Sequence, residues 1–164
     1  MVAEREYTLD DMVQLRFEAN KQRGMYLAHI VRELERSDLP GSEEALKKAA
    51  FAFGKAKSED WGNLDAKQFT QTMMPNPVSV GTMEFRQVGE ATGERSEFTF
   101  GRCPLETGWR EMGLSAAERK HLCKIASQHD FGLVDNGAGL SLEIPETLGG
   151  GDSVCRLILS KAGP

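Results

Sequence analysis

Long apolar runs are missing from this sequence. No stretch approaches the ~20 residues that span a bilayer, and the first residues, Met1 to Tyr7, lack the apolar segment of a secretory leader. Neither membrane insertion nor export is expected, and the reading is a cytoplasmic protein. A surplus of positive charge is missing too. Lysine and arginine total 20 against 25 acids, a formal charge of −5, with the two signs interspersed. No broad basic face remains to release counterions from a phosphate backbone, which argues against nucleic acid as a partner. Cysteine is sparse and odd in number, three at wide spacing, whereas a disulfide framework in a small secreted domain favours an even set. Reduced thiols in a cytosol are the simpler reading. Internal repeats and low-complexity tracts are also absent.

What is present suffices for a packed core. A chain of 164 residues fits one domain and buries roughly two-thirds of its unfolded surface. Its 40% hydrophobic and 27% charged residues lie far from the composition of disorder. Residues 1–164 are therefore read as a single domain, with a helical segment over 1–74 and a hairpin, helix and hairpin part over 75–164.

Local signals divide the chain. Thr8 with Asp10 and Asp11 offers a cap and first-turn negative charge, and the apolar spacing from Met12 to Leu34 predicts one long helix to about Arg36, loosened at Gly24. Ser42 opens a second helix through Phe53, with Lys55 and Lys57 toward its end, and a third short one is expected over Asp65 to Met73. Pro75 and Pro77 mark a change of regime. The alternation from Val80 to Val88, a turn at Gly89 to Glu94 and a run through Phe98, Phe100 and Arg102 predict a hairpin. Helical spacing resumes over Leu105 to Met112, and Ser115 to Glu118 is a capping box opening a helix to at least Ile125. Leu140 to Ile144 and Val154 to Leu159 form a second hairpin around Gly149, Gly150 and Gly151, a turn rather than a phosphate cradle, since no lysine and helix follow it. The fold class is α+β: an antiparallel sheet of about four strands from two hairpins, with helices on one face and an N-terminal helical segment in front. That segment also suits a homo-oligomer contact.

The candidate chemistry lies with the thiols. Cys103 ends a predicted strand beside Arg102, Cys123 sits in the helix after Ser115, and Cys155 opens the last strand. A cation near a thiol lowers its pKa, so Arg102 is expected to favour a Cys103 thiolate, as nucleophile or ligand. Cys103, Cys123 and Cys155 with His129 would make a tetrahedral set for a divalent metal, zinc or manganese, although no paired-cysteine spacing supports it. Against these stand plainer roles. Free cysteine often behaves as a small buried hydrophobe. His129 and Asp130 suit a helix end, Asp152 suits a turn, and Trp109, Phe85, Phe98 and Phe100 suit the core, with a pocket wall as the minor alternative for Trp109. His29 is expected in the core or an interface, and His121 on the surface.

Taken together, the run Phe98 to Pro104, the later Trp109 and Gly113, Leu122 and Cys123, His129 to Gly132, and above all Gly151 to Leu159 resemble the L-2-amino-thiazoline-4-carboxylic acid hydrolase family, as does the upstream stretch Gly41 to Lys55. The resemblance implies hydrolytic opening of a small cyclic amidine-like acid, at a carbon bonded to both sulfur and nitrogen. Such a reaction needs a nucleophile, a proton donor and a cation for the carboxylate. The roles so implied are Cys103 as nucleophile or ligand, His129 as acid/base oriented by Asp130, Cys155 in the same site, and Arg102, Trp109 and Asp152 on the substrate. The family's acid follows the helical cysteine by three residues; here that position is Ala126, and Asp130 lies four further on. The pattern is also similar to four-vinyl-reductase-like domains, which would bind a small molecule or metal without turning it over. A helical dimer scaffold with buried thiols is the third reading.

Overall fold

The computed structural model describes residues 6–135 and 139–162. It holds seven helices and four strands among those residues: α1 (Leu9–Arg36), α2 (Ser42–Ser58), α3 (Ala66–Met73), α4 (Pro77–Met83), β1 (Phe85–Gln87), β2 (Arg95–Phe100), α5 (Pro104–Glu111), α6 (Ala116–Ala126), α7 (Gln128–Val134), β3 (Leu140–Glu146) and β4 (Cys155–Lys161). Three of the helices start on reciprocal capping boxes, Thr8 with Asp11, Asp65 with Gln68 and Ser115 with Glu118. In each, the cap side chain and the third helical residue satisfy backbone donors that the helix itself leaves unpaired.

The strands form one antiparallel sheet in the order β1-β2-β4-β3, so the fold is the expected α+β class with both hairpins present. Ser96, Phe98 and Phe100 alternate inward on β2, opposite Leu159, Leu157 and Cys155 of β4. Together with Ala66 and Phe69 of α3 and Leu133 and Val134 of α7, the phenylalanines and leucines make the first core cluster. Each buried phenylalanine or leucine contributes roughly 2 kcal/mol through apolar burial. The outward face carries Glu97, bonded to Arg95 at 2.8 Å and to Arg156 at 2.8 Å, as a solvated strand face should. Pro145 lies on the edge strand β3, where the register shifts between Glu143 and Glu146, because proline has no N–H for the ladder.

A second cluster joins Ala28 and Val31 of α1 to Trp109, Leu114, Leu122 and Ile125. The N-terminal helices pack onto the later part of the chain: α1 lies along α5 and α4, and α2 along α7.

Three expectations are corrected. The strand anticipated from Val80 is the helix α4: Asn76 caps it through a bond from the Ser79 N–H at 3.0 Å and Pro77 presets its first turn, so the true strand is three residues long. Gly24 does not loosen α1. It lets α5 approach, since a Cβ there would sit 2.6 Å from the Leu105 Cα. His29 is exposed on α1, not buried.

The tightest crossing joins α2 to α7. A Cβ on Gly54 would overlap the His129 carbonyl oxygen, and one on Gly132 would overlap that of Phe51. Gly132→Ala should therefore lower unfolding stability by about 2 kcal/mol or more, because backbone cannot yield as a side chain can. Urea denaturation checks this, and a change under ~0.5 kcal/mol, the scale of an ordinary surface substitution, would show that the helices separate freely.

Candidate functional site

The three cysteines lie on elements that converge at one end of the sheet. Cys155 pairs with Phe100 in register, on the inner face of β4. Two residues beyond β2, Arg102 is followed by Cys103, the N-cap of α5. Cys123 comes in from α6, and a 3₁₀ turn over Leu148–Gly150 lies across it and Cys155. The Leu148 N–H donates to the Cys155 sulfur at 3.3 Å. A Cβ on Gly149 would lie 2.8 Å from the Cys123 sulfur, so only glycine lets that turn settle over the thiol. All three cysteines are free.

Burial governs their chemistry. It pushes Cys103 up to about 11 and Cys155 up to about 12, and raises Cys123 as well. The amides of Leu105 and Glu106 in the first turn of α5 favour a Cys103 thiolate but do not offset that loss of hydration. Cys103 and Cys155 are raised further by the charge of neighbouring thiols, and all three cysteines by the Asp130 carboxylate. Raised in this way, the thiols are held in the neutral form.

Several of the predicted site residues are engaged elsewhere. The guanidinium of Arg102 turns to the C-terminal end of α4, donating to the carbonyls of Thr82 and Gly81, each at 3.2 Å, and lies 4.2 Å from the centre of the Phe17 ring. It satisfies orphan helix carbonyls, and the lowered Cys103 pKa expected from it is reversed by burial. Trp109 is 1% exposed and its indole N–H donates to the Gly24 carbonyl at 2.7 Å, so it is core and joins α5 to α1. Asp152 is exposed and accepts from the Thr147 N–H at 2.8 Å, closing the turn. His129 remains beside Asp130, Nδ1 to Oδ1 3.3 Å, with its ring 5.4 Å from that of Phe53. His121 sits at the surface near Glu35, 3.5 Å away.

The tetrahedral set of Cys103, Cys123, Cys155 and His129 is not formed as a cage. Among the described residues no group of three or more His, Cys, Asp and Glu is arranged to hold a metal ion. The reason is local: the Cys123 and Cys155 sulfurs face the backbone of the 148–149 turn, and the His129 ring lies against Phe53 and Asp130.

Sequence reasoning passed over Glu106. It is nearly fully buried in α5, bonded to Arg110 at 2.8 Å and 3.3 Å from the Nε of Arg119, and its charge raises Cys123. The available signal was an acid in the first turn after Pro104. Two cavities lie away from the thiols. The larger, about 710 Å³, is lined by Lys47, Lys48, Phe51, Lys124 and Phe131, among others; the smaller, about 260 Å³, lies between the end of α1 and α6.

The raised thiols tie stability to pH. Their contribution is whole below the unfolded value of about 8.5 and is lost as pH rises toward the folded values, because over that interval the native state holds protons the unfolded chain has released. The urea midpoint should therefore fall from pH 8 to pH 10.5. Cys103→Ala and Cys155→Ala should each flatten that slope; an unchanged slope in both would place the sulfurs in water.

Searches among curated proteins and among solved structures returned no match. One family model, described as L-2-amino-thiazoline-4-carboxylic acid hydrolase, matches residues 20–159. That span runs from the middle of α1 into β4 and takes in all three cysteines, His129 and Asp130. The chain belongs to the L-2-amino-thiazoline-4-carboxylic acid hydrolase family.

Proposed function

We propose that the chain hydrolyses a small cyclic amidine-like acid, opening a C–N or C–S bond at the carbon that carries both atoms, in a site built on Cys103, His129 and Asp130. The observation that carries this reading is the convergence of the elements bearing Cys103, Cys123 and Cys155 on the 148–150 turn and the adjoining ends of β2 and β4, with the Asp130 charge acting on all three thiols, inside the matched span.

A neutral Cys103 needs a proton acceptor before it can attack. The His129 and Asp130 pair is an acid/base assembly whose carboxylate charge acts on Cys103. A cationic amidine group placed beside Asp130 would offset the carboxylate charge that raises the thiol, easing ionisation as substrate binds. The Cys103 proton then passes to the His129 and Asp130 pair. The sulfur adds to the carbon, one ring bond breaks, and the leaving nitrogen or sulfur takes the proton. Water adds to the same carbon in the second half, Cys103 leaves with its electron pair, one water proton returns to the thiol by the same route, and the other stays on the substrate heteroatom whose double bond to that carbon is replaced by C=O. Cys155 and Cys123 wall the site as neutral thiols. Free thiols also suit a reducing cytosol.

One observation favours a second reading, binding without turnover. Thiols pushed up to about 11 and 12 are poor nucleophiles at neutral pH. Turnover of L-2-amino-thiazoline-4-carboxylate by the purified chain, followed by chromatography, separates the two. Catalysis predicts that Cys103→Ser and Asp130→Asn each lower kcat by about 100-fold or more. Equal rates for wild type and Cys103→Ser would remove Cys103 from the reaction, and stoichiometric binding with no product would establish the second reading.

A further inference from the structure

The long helix α1 turns Phe17, Gly24 and Val31, seven residues apart, into the body of the fold, with Ala28 beside them. A helix returns to nearly the same side every seven residues. The opposite side carries Met12, Leu15, Ala19, Gln22, Tyr26 and His29, and all six are exposed. They follow one another at alternating steps of three and four residues, the first and fourth positions of three successive heptads. Apolar side chains are concentrated here. Of the large ones left exposed among the described residues, Leu9, Met12, Leu15 and Tyr26 all lie on α1, with Met12 at 42%, Leu15 at 56% and Tyr26 at 69%.

The elements that hold α1 leave that side open. A Cβ on Gly81 of α4 would lie 2.8 Å from the Val13 side chain, one on Gly24 would meet Leu105 of α5, and one on Gly108 of α5 would lie 2.9 Å from the Met25 side chain. These contacts come from behind the helix and from its flanks. Single exposed apolar residues are ordinary on any surface, whereas a row of them in heptad order along one side of a helix is the pattern that a second helix covers.

The residues bordering the stripe decide which helix fits. One border carries Asp11, Glu18 and Met25, and the other Arg16, Arg23 and Ile30. In a parallel pair of helices, a residue on the first border faces the one five positions further along on the second border of its partner. That brings Asp11 to Arg16, Glu18 to Arg23 and Met25 to Ile30 across the seam, two pairs of opposite charge and one apolar pair, each made twice. An antiparallel pair would set each border against itself, and the arginines would repel. Little has to be given up within one chain. Arg16 and Arg23 donate to neutral acceptors, the Ser79 hydroxyl at 2.8 Å and the Asn20 amide oxygen at 3.4 Å. Glu18 lies 2.7 Å from Lys21, whose ammonium keeps Glu111 at 3.0 Å when Glu18 turns outward.

We propose that this side of α1 docks a second copy of the same chain, the two helices lying parallel about a two-fold axis that runs along the seam. A two-fold interface requires a surface complementary to itself, and the ordered borders of α1 meet that requirement. Met12, Leu15, Ala19 and Tyr26 then pack against their own counterparts. Gln22 meets its counterpart amide to amide, a polar layer of the kind that fixes register at some cost in stability. The seam lies opposite the buried stripe that faces α5, so each copy keeps its own set of thiols. Three heptads with two polar layers form a modest interface, and the expected dissociation constant is on the order of 10 μM.

Sedimentation equilibrium of the full chain, from about 1 to about 200 μM, reads the association directly. A monomer and dimer equilibrium is expected. Leu15→Glu and Tyr26→Glu should each weaken it by about 10-fold or more, because a charge enters an apolar layer. Their circular dichroism and melting temperature as monomers should match wild type, since both side chains are exposed in the single chain. Val88→Glu, at an exposed apolar residue outside α1, should leave the association within about 2-fold. Exchange of charge tests the orientation. Glu18→Arg alone and Arg23→Glu alone should each weaken the dimer by about 3-fold or more, and the two together should restore it, because residues 18 and 23 face each other only across a parallel seam. Met12→Cys should cross-link to its counterpart in oxidised glutathione, which an antiparallel seam forbids. A chain that stays monomeric at about 200 μM overturns the proposal. So does a dimer indifferent to Leu15→Glu and Tyr26→Glu, one that the double exchange fails to restore, or one in which Met12→Cys does not cross-link.

Discussion

The site depends on how closely α2 and α7 approach. Where Gly54 meets the His129 carbonyl and Gly132 meets that of Phe51, no side chain separates the two backbones. That crossing sets the height at which α7 begins, and so where His129 and Asp130 stand relative to the thiols. Interiors are packed like crystals, so a shift of one methyl group at this point would be passed on to neighbouring elements. Ser127 serves as both the last cap of α6 and the first of α7, so the position of Cys123 on α6 is coupled to the same crossing.

Two opposing effects act on the cysteines. Helix-end amides favour a thiolate at Cys103, while removal from water disfavours it at all three, and the second effect wins at Cys103 and Cys155 by a wide margin. A resting site with neutral thiols is protected from incidental oxidation and alkylation, which proceed through the thiolate. Reactivity would then require a change in local charge, and Asp130 is the group whose neutralisation provides one.

Cations are distributed by what each can reach. Arg102 is adjacent to Cys103 in sequence, yet its side chain extends back to α4, where it adds a donor to the Thr82 and Gly81 carbonyls of the last turn. Arg110 and Arg119 flank the buried Glu106 carboxylate. These are structural uses, in which a buried or orphaned acceptor requires a donor.

The cap at Thr8 and the capping box at Ser115 were legible because a cap and its partner are close in sequence and depend on little else. The two hairpins and the α+β class followed from alternation and turns in the same local way, and the ordered cysteines with their flanking residues carried the family. The helix α4 was misread because buried threonine and serine, each bonded within its own turn, imitate the alternation of a strand. The sequence by itself determined most of the elements, the fold class and the family. Only the tertiary structure decided that Arg102 faces away from Cys103, that Trp109 is core and that the thiols are neutral. Those outcomes depend on burial and on long side chains reaching across the fold, and neither is a property of neighbours along a chain.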